Sequence, residues 1–217
     1  MRVSLAVAMG CVLAVTSLAS AVVTFTNVGD LGGGTSTAAG VSGDGTLVVG
    51  GSSDGANTQA YIWDGSIHAL GFPGDINYST AASVDIAPDS SVRVAVTGKV
   101  DYAPFPVETQ AFLWSGTGAG VGAYDPAVIL FDDNVSTTAM DLIVNSSGEV
   151  FLCGYGKRAD WTNACYDHGF RWRSMPSFLE LGTAPGSTYP VHANGISRFG
   201  QIAGQLQFGA GTPCSGA

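Results

Sequence analysis

Ser36-Thr-Ala-Ala-Gly-Val-Ser-Gly-Asp-Gly-Thr-Leu-Val-Val-Gly50, then Ala60-Tyr-Ile-Trp63, closed by Leu70-Gly71, is the stretch from which the fold is read. Two turn signals punctuate it. Gly43-Asp44-Gly45 separates 38–42 from 46–50, and Asp64-Gly65 separates 60–63 from 66–70. Asp-Gly pairs predict primed hairpin turns, because both central residues tolerate positive φ and the turn then follows the strand twist. Four short strands in sequence, A to D, are expected.

The pattern recurs down the chain. A second unit opens at Ser79-Thr-Ala-Ala, turns at 87–91 with Pro88 presetting φ, and reaches Gln110-Ala-Phe-Leu-Trp114. A third opens at Ser136-Thr-Thr-Ala139, turns at Asn145-Ser-Ser-Gly148, and runs through Gly169-Phe-Arg-Trp172 to Leu181-Gly182. A fourth begins at Ala193-Asn-Gly-Ile196 and turns at Arg198-Phe-Gly200. Trp63 and Trp114 are 51 residues apart, and Trp114 and Trp172 are 58 apart. Units of about this length with four strands each suit propeller blades. The expected fold is therefore all-β, a β-propeller-like array of four-stranded blades with repeats of about 50 residues. The units span about 36–71, 79–123, 136–182 and 193–217. The last stops where strand C is due, so an incomplete chain, cut inside a repeat, is expected. Residues 23–32 end in Leu31-Gly32 like a strand D and read as an orphan closing strand.

Composition fits this picture. The 217 residues include 31 glycines, about twice the ordinary share, and only 12% are charged. A net charge of −9 with no basic run argues against nucleic acid and anionic membrane surfaces as partners. Arg2, the apolar run 3–18 and Ala19-Ser20-Ala21 read as a signal peptide over 1–21, with the domain occupying 22–217. The expected location is secreted or cell surface, with no membrane span after cleavage. Of the four cysteines, Cys11 leaves with the leader, and Cys153, Cys165 and Cys214 remain. Cys165 and Cys214 sit at nearly equivalent repeat positions and are the candidate disulfide; none has zinc-site spacing, and no metal or cofactor is expected.

The order Leu-Gly, Ser-x-Ala, Val-Ser-x-Asp-Gly, Val-Val-Gly, Ala-Phe-x-Trp, Leu-Gly resembles the HAF-type extracellular repeat family of exported bacterial proteins. The first unit matches nearly throughout. The second and third keep Ala111-Phe112-Leu113-Trp114 and Gly169-Phe170-Arg171-Trp172 while their turns diverge. The resemblance implies a propeller-like ring and little about activity.

Trp63, Phe112, Trp114, Phe170 and Trp172 are expected to pack between blades. Function is sought where the copies differ. The B–C connections are long, about 52–59, 99–110, 155–168 and 205–216, and long loops on a stiff scaffold are where binding concentrates. The third holds Lys157, Arg158, Asp160, Trp161, Tyr166, Asp167 and His168, a set able to grip a polar ligand such as a glycan. No nucleophile elbow, Ser-His-Asp signature or phosphate loop is present. The expected function is a non-enzymatic exported scaffold that binds a glycan or a cell-surface or matrix component. The alternative is a propeller enzyme acting on extracellular polysaccharide through Asp160 and Asp167.

Overall fold

A computed structural model describes residues 26–72, 76–100, 108–125, 136–157, 167–174, 177–182 and 191–206. The described residues are all-β, arranged in several sheets. The first unit contains β1 (Ser36–Val41), β2 (Val48–Ser53), β3 (Thr58–Trp63) and β4 (Ile67–Ala69). The second contains β5 (Tyr78–Ile86), β6 (Val92–Val100), β7 (Glu108–Gly116) and β8 (Gly122–Tyr124). The third contains β9 (Thr137–Val144), β10 (Val150–Gly156), β11 (His168–Arg173) and β12 (Ser177–Glu180), and β13 (Val191–Ile196) pairs with β14 (Ile202–Leu206). Within each unit every strand pairs antiparallel with the next. One parallel bridge, Thr58 to Tyr78, joins the first two units into a continuous sheet. No closed barrel or propeller is formed among the described residues.

The cores lie between units. Side chains alternate across a strand, so a strand covered on both sides is apolar at successive positions. In β6 and β7, Val92, Val94, Val96, Phe112 and Trp114 join Leu47, Val49, Ala60 and Ile62 of the first unit. Their neighbours Ala95, Ala111 and Leu113 face the other way and pack with Leu142, Leu152 and Phe170 of the third. Phe151 and Cys153 then meet Ala193 and Ile196. Three successive joints result, each shared by two units.

The same irregularity marks the first strand pair of every unit. A register shift falls between Ala38 and Gly40, Ala81 and Ser83, Ala139 and Asp141, and Ala193 and Gly195. One extra residue sits there each time: Ala39, Ala82, Met140 and Asn194. Such a bulge bends its strand and re-aims the following side chain. It also accounts for the Val-Val-Gly signature. A Cβ on Gly50, Gly154 or Gly204, opposite the bulge, would run into the carbonyl of Thr37, Thr138 or His192.

The turns correct one expectation. The primed turn that Asp-Gly signals, type I′, needs positive φ at both central residues, but Ser90 is the only non-glycine with positive φ among the described residues. In the 87–91 turn the amide of Ala87 donates to Ser91 O, and that of Ser90 donates to Ala87 O. The same pair of bonds closes 145–149 and 197–201. This is a type I turn followed by one left-handed residue, here Ser90, Gly148 and Gly200. The turn at 42–47 is one residue longer and places Gly45 alike; Asp64-Gly65 has positive φ at Gly65 only. The aspartates serve instead as acceptors, as Asp44 does for the Thr46 amide at 3.0 Å.

Residues 26–35 carry no strand and are tied to the first unit, through Gly33 N to Ser53 O and Leu31 N to Ser52 Oγ. Residues 23–25 of the expected closing strand lie outside the described residues.

Candidate functional site

The long connections between second and third strands leave one edge of the sheets. The first, at 54–57, is self-tied: Asp54 Oδ1 accepts from Ala56 N at 2.8 Å and Asn57 N at 2.7 Å, and Oδ2 accepts from Gln59 Nε2. These donors hold the Asp54 carboxyl below its usual range, the Asn57 amide most strongly. A rigid rim results. Beside it, where β3 meets β5, a pocket of about 340 Å3 is lined by Ser53, Asn57, Thr58, Asn77, Tyr78 and Lys99. Lys99 Nζ lies 4.2 Å from the Tyr78 ring centroid, a cation–π contact that holds the ammonium at the mouth.

The corresponding point of the third unit is Lys157. Gly98 pairs with Ser79 and Gly156 with Thr137, so Lys99 and Lys157 each follow the last glycine of a second strand. They are the chain's only lysines. The pairing was legible as Gly98-Lys99 and Gly156-Lys157, separated by the same 58 residues as Trp114 and Trp172. Sequence reasoning singled out Lys157 and missed Lys99, Tyr78 and the two asparagines, which are scattered along the chain and meet only at the joint.

Of the loop residues expected to grip a ligand, Lys157 and Asp167 flank the base of the connection, with Nζ 3.9 Å from Oδ1 and both side chains solvent-accessible. An exposed pair at that distance adds little stability. His168 is buried, and its Nδ1 lies 2.7 Å from Glu180 Oε1 of β12. Asp167 and His168 therefore turn to different partners and do not form an acid–base pair with each other. Arg158, Asp160, Trp161 and Tyr166, and both candidate disulfide cysteines, Cys165 and Cys214, lie outside the described residues.

The aromatic set belongs elsewhere. Phe112, Trp114 and Phe170 are buried between units, Trp172 is partly buried against the same core as Phe170, and Trp63 is half-buried. Cys153 is a buried free thiol whose pKa is pushed up to about 12, by burial first and the Asp141 charge second. A thiol so placed is not a nucleophile at neutral pH. Among the described residues no three His, Cys, Asp or Glu side chains are grouped to hold a metal ion, and no helix is long and apolar enough to cross a membrane. The edge presents an ammonium, an aromatic ring, two amides and hydroxyls around a small pocket.

No protein-family model matches the chain, and no curated protein matches it.

Proposed function

We propose that this chain is an exported HAF-type repeat protein, a β-propeller-like array of blades that acts as a binding scaffold rather than an enzyme. The meander units, their shared joints and the recurring bulge support the blade reading, and the leader sequence supports export. The ligand surface is the long-connection edge, and the ligand is a polar one such as a glycan or another cell-surface or matrix component. The observation that carries this reading is the repetition of Lys99 and Lys157 at one structural position on that edge, with Lys99 lining a pocket of about 340 Å3. Folding does not require a lysine there, since the first unit places Ser53 at the same point.

A glycan array and a matrix pull-down with the full chain, leader processed, test the proposal. Binding is expected, and Lys99→Ala combined with Asn57→Ala should lower it about tenfold. Binding unchanged by those substitutions places the ligand elsewhere and sinks the assignment. Polysaccharide turnover that disappears on Asp160→Asn or Asp167→Asn overturns the scaffold reading in favour of an enzyme.

A further inference from the structure

The opposite edge carries the turns that join first and second strands, and four of them offer an internal comparison. Position by position, Gly43-Asp44-Gly45, Pro88-Asp89-Ser90, Ser146-Ser147-Gly148 and Arg198-Phe199-Gly200 occupy the same turn. In the first two, the central aspartate closes the turn by accepting a backbone amide. In the third, Asn145 Oδ1 takes that duty by accepting from Ser147 and Glu149. In the fourth, Ser197 Oγ does so, accepting from Phe199 N at 3.3 Å and Gln201 N at 3.1 Å.

Phe199 is thereby released from turn duty, and its ring is largely open to solvent. It is 88% exposed, the most exposed of the large apolar side chains among the described residues. Its neighbour Arg198 is exposed too and has no carboxylate partner among the described residues. An exposed phenyl ring keeps the hydration cost that burial would remove.

Both side chains border a groove of about 390 Å3 that runs between the turns of three successive units, with Pro88, Asp85, Asn145 and Ser146 on its other walls. That volume is within the range of small-molecule sites. Asp85 is fixed by Ile86 N on Oδ1 at 2.9 Å and Val144 N on Oδ2 at 2.8 Å. Each oxygen keeps a further lone pair for an outside donor. The groove thus offers one carboxylate acceptor, one guanidinium donor, a hydroxyl, and two flat apolar surfaces in Pro88 and Phe199. A polyanion would meet the Asp85 charge and a polycation the Arg198 charge. A ligand with hydroxyls on its rim and a C–H face for stacking satisfies every wall.

We infer that this groove binds an uncharged, hydroxyl-rich saccharide, with Phe199 as the stacking platform and Arg198 and Asp85 as donor and acceptor. The site is separate from the long-connection edge and does not depend on it. Amide-resolved NMR titration of the full chain with cellohexaose, xylohexaose, maltohexaose and chitohexaose tests the inference, with oligogalacturonate as the charged comparator. At least one neutral probe should shift the amides of Ser146, Arg198 and Phe199. Affinity should fall roughly tenfold in Arg198→Ala and in Phe199→Asp, which restores the residue type of the first two units and so preserves the turn. Val121→Ser, at an exposed side chain outside the groove, should leave it unchanged. Absence of shifts at those amides with all four neutral probes overturns the inference, as does binding within twofold in Phe199→Asp or tighter binding of oligogalacturonate. Shifts confined to Asn57, Tyr78 and Lys99 overturn it while supporting the opposite edge as the ligand surface.

Discussion

The leading faces of the first and second units carry the same residue pattern and meet opposite fates. Val48 pairs with Trp63 as Val94 pairs with Trp114, and Val41 corresponds to Val84. In the second unit this face lies against the first, and Val84 is 4%, Val94 0% and Trp114 1% exposed. In the first unit Val41 is 62% exposed and Trp63 only half-buried. Burial of a repeat residue is therefore a property of the joint and not of the unit. A unit's own sequence specifies two apolar faces, and its neighbour decides which of them becomes core.

Truncating the two tryptophans breaks the comparison most directly. Trp114→Ala removes a fully buried side chain from the first joint and should cost about 3–5 kcal/mol in denaturant unfolding. Trp63→Ala should cost less than half as much, because part of its surface already meets water. Equal losses would mean that the leading face of the first unit is covered in solution, for example by another unit of the same kind.

The joints also differ in what polar groups cross them. At the first, Ser79 Oγ accepts from Ala60 N at 2.9 Å and reaches Gly71 O at 3.2 Å. Thr137 Oγ1 repeats the first bond at the second joint, accepting from Ala111 N. At the third joint Val191 stands at that position, and the cross-joint acceptor is a carboxylate that also serves the second. Asp141 accepts from Leu142 N at 2.8 Å, from Ser83 Oγ at 2.8 Å across the second joint, and from Ile196 N at 2.9 Å across the third. Asp141→Ala removes this acceptor from the Leu142 and Ile196 amides, while Ser83 Oγ keeps Leu142 O at 3.3 Å, and should cost about 2–3 kcal/mol. Its signature is local: amide exchange at Ile196 should accelerate while that at Ala60 stays slow. Uniform acceleration would show that the units unfold as one and that the third joint has no separate stability.

Much of this architecture was legible. The Asp-Gly, Pro-Asp and Ser-Gly signals sit at the turns, and the Ala-Phe-Leu-Trp114 run alternates between two cores as its period of two requires. The bulges were not legible, because the extra residues Ala39, Ala82, Met140 and Asn194 share no single type, and only the glycine opposite three of them leaves a trace. The acids Asp85 and Asp141 gave no signal either. Their cross-joint partners lie 59 and 55 residues away, and a mid-strand aspartate looks the same whether it faces water or a backbone amide. The pocket at Tyr78 and Lys99 failed for that same reason. Four of the seven residues expected to grip a ligand lie outside the described residues.

Smaller effects sharpen the comparison at the turns. Ser90 has φ 67° where Gly45, Gly148 and Gly200 fill the equivalent position. A left-handed conformation costs a residue with a Cβ about 1–2 kcal/mol, part of which the more flexible unfolded glycine chain takes back. Ser90→Gly should therefore stabilise the protein by about 1 kcal/mol or less, read as a rise in denaturation midpoint at constant m-value. A fall would mean that the hairpin relies on the Ser90 side chain in a way the other three turns do not share.

The smallest expected effect concerns acid. Asp44 is held below the usual carboxylate range chiefly by the Ser42 hydroxyl, then by the Thr46 amide and hydroxyl; Asp89 is held there chiefly by the Ser91 hydroxyl and then its amide. A folded-state pKa below the unfolded value of about 3.9 means that folding favours the ionised form. Each carboxylate thus adds stability that is complete above that value and is lost as pH falls through the lower, folded one. Both groups are at the surface, so solvent and salt weaken the effect, and it should shrink further at high ionic strength. Asn at both positions keeps an acceptor for the turn amide and removes the titration. The double variant Asp44→Asn, Asp89→Asn should show a shallower loss of stability below about pH 4 than the parent, with little change at neutral pH. An unchanged acid slope would show that these two turn carboxylates do not set the acid limit of stability.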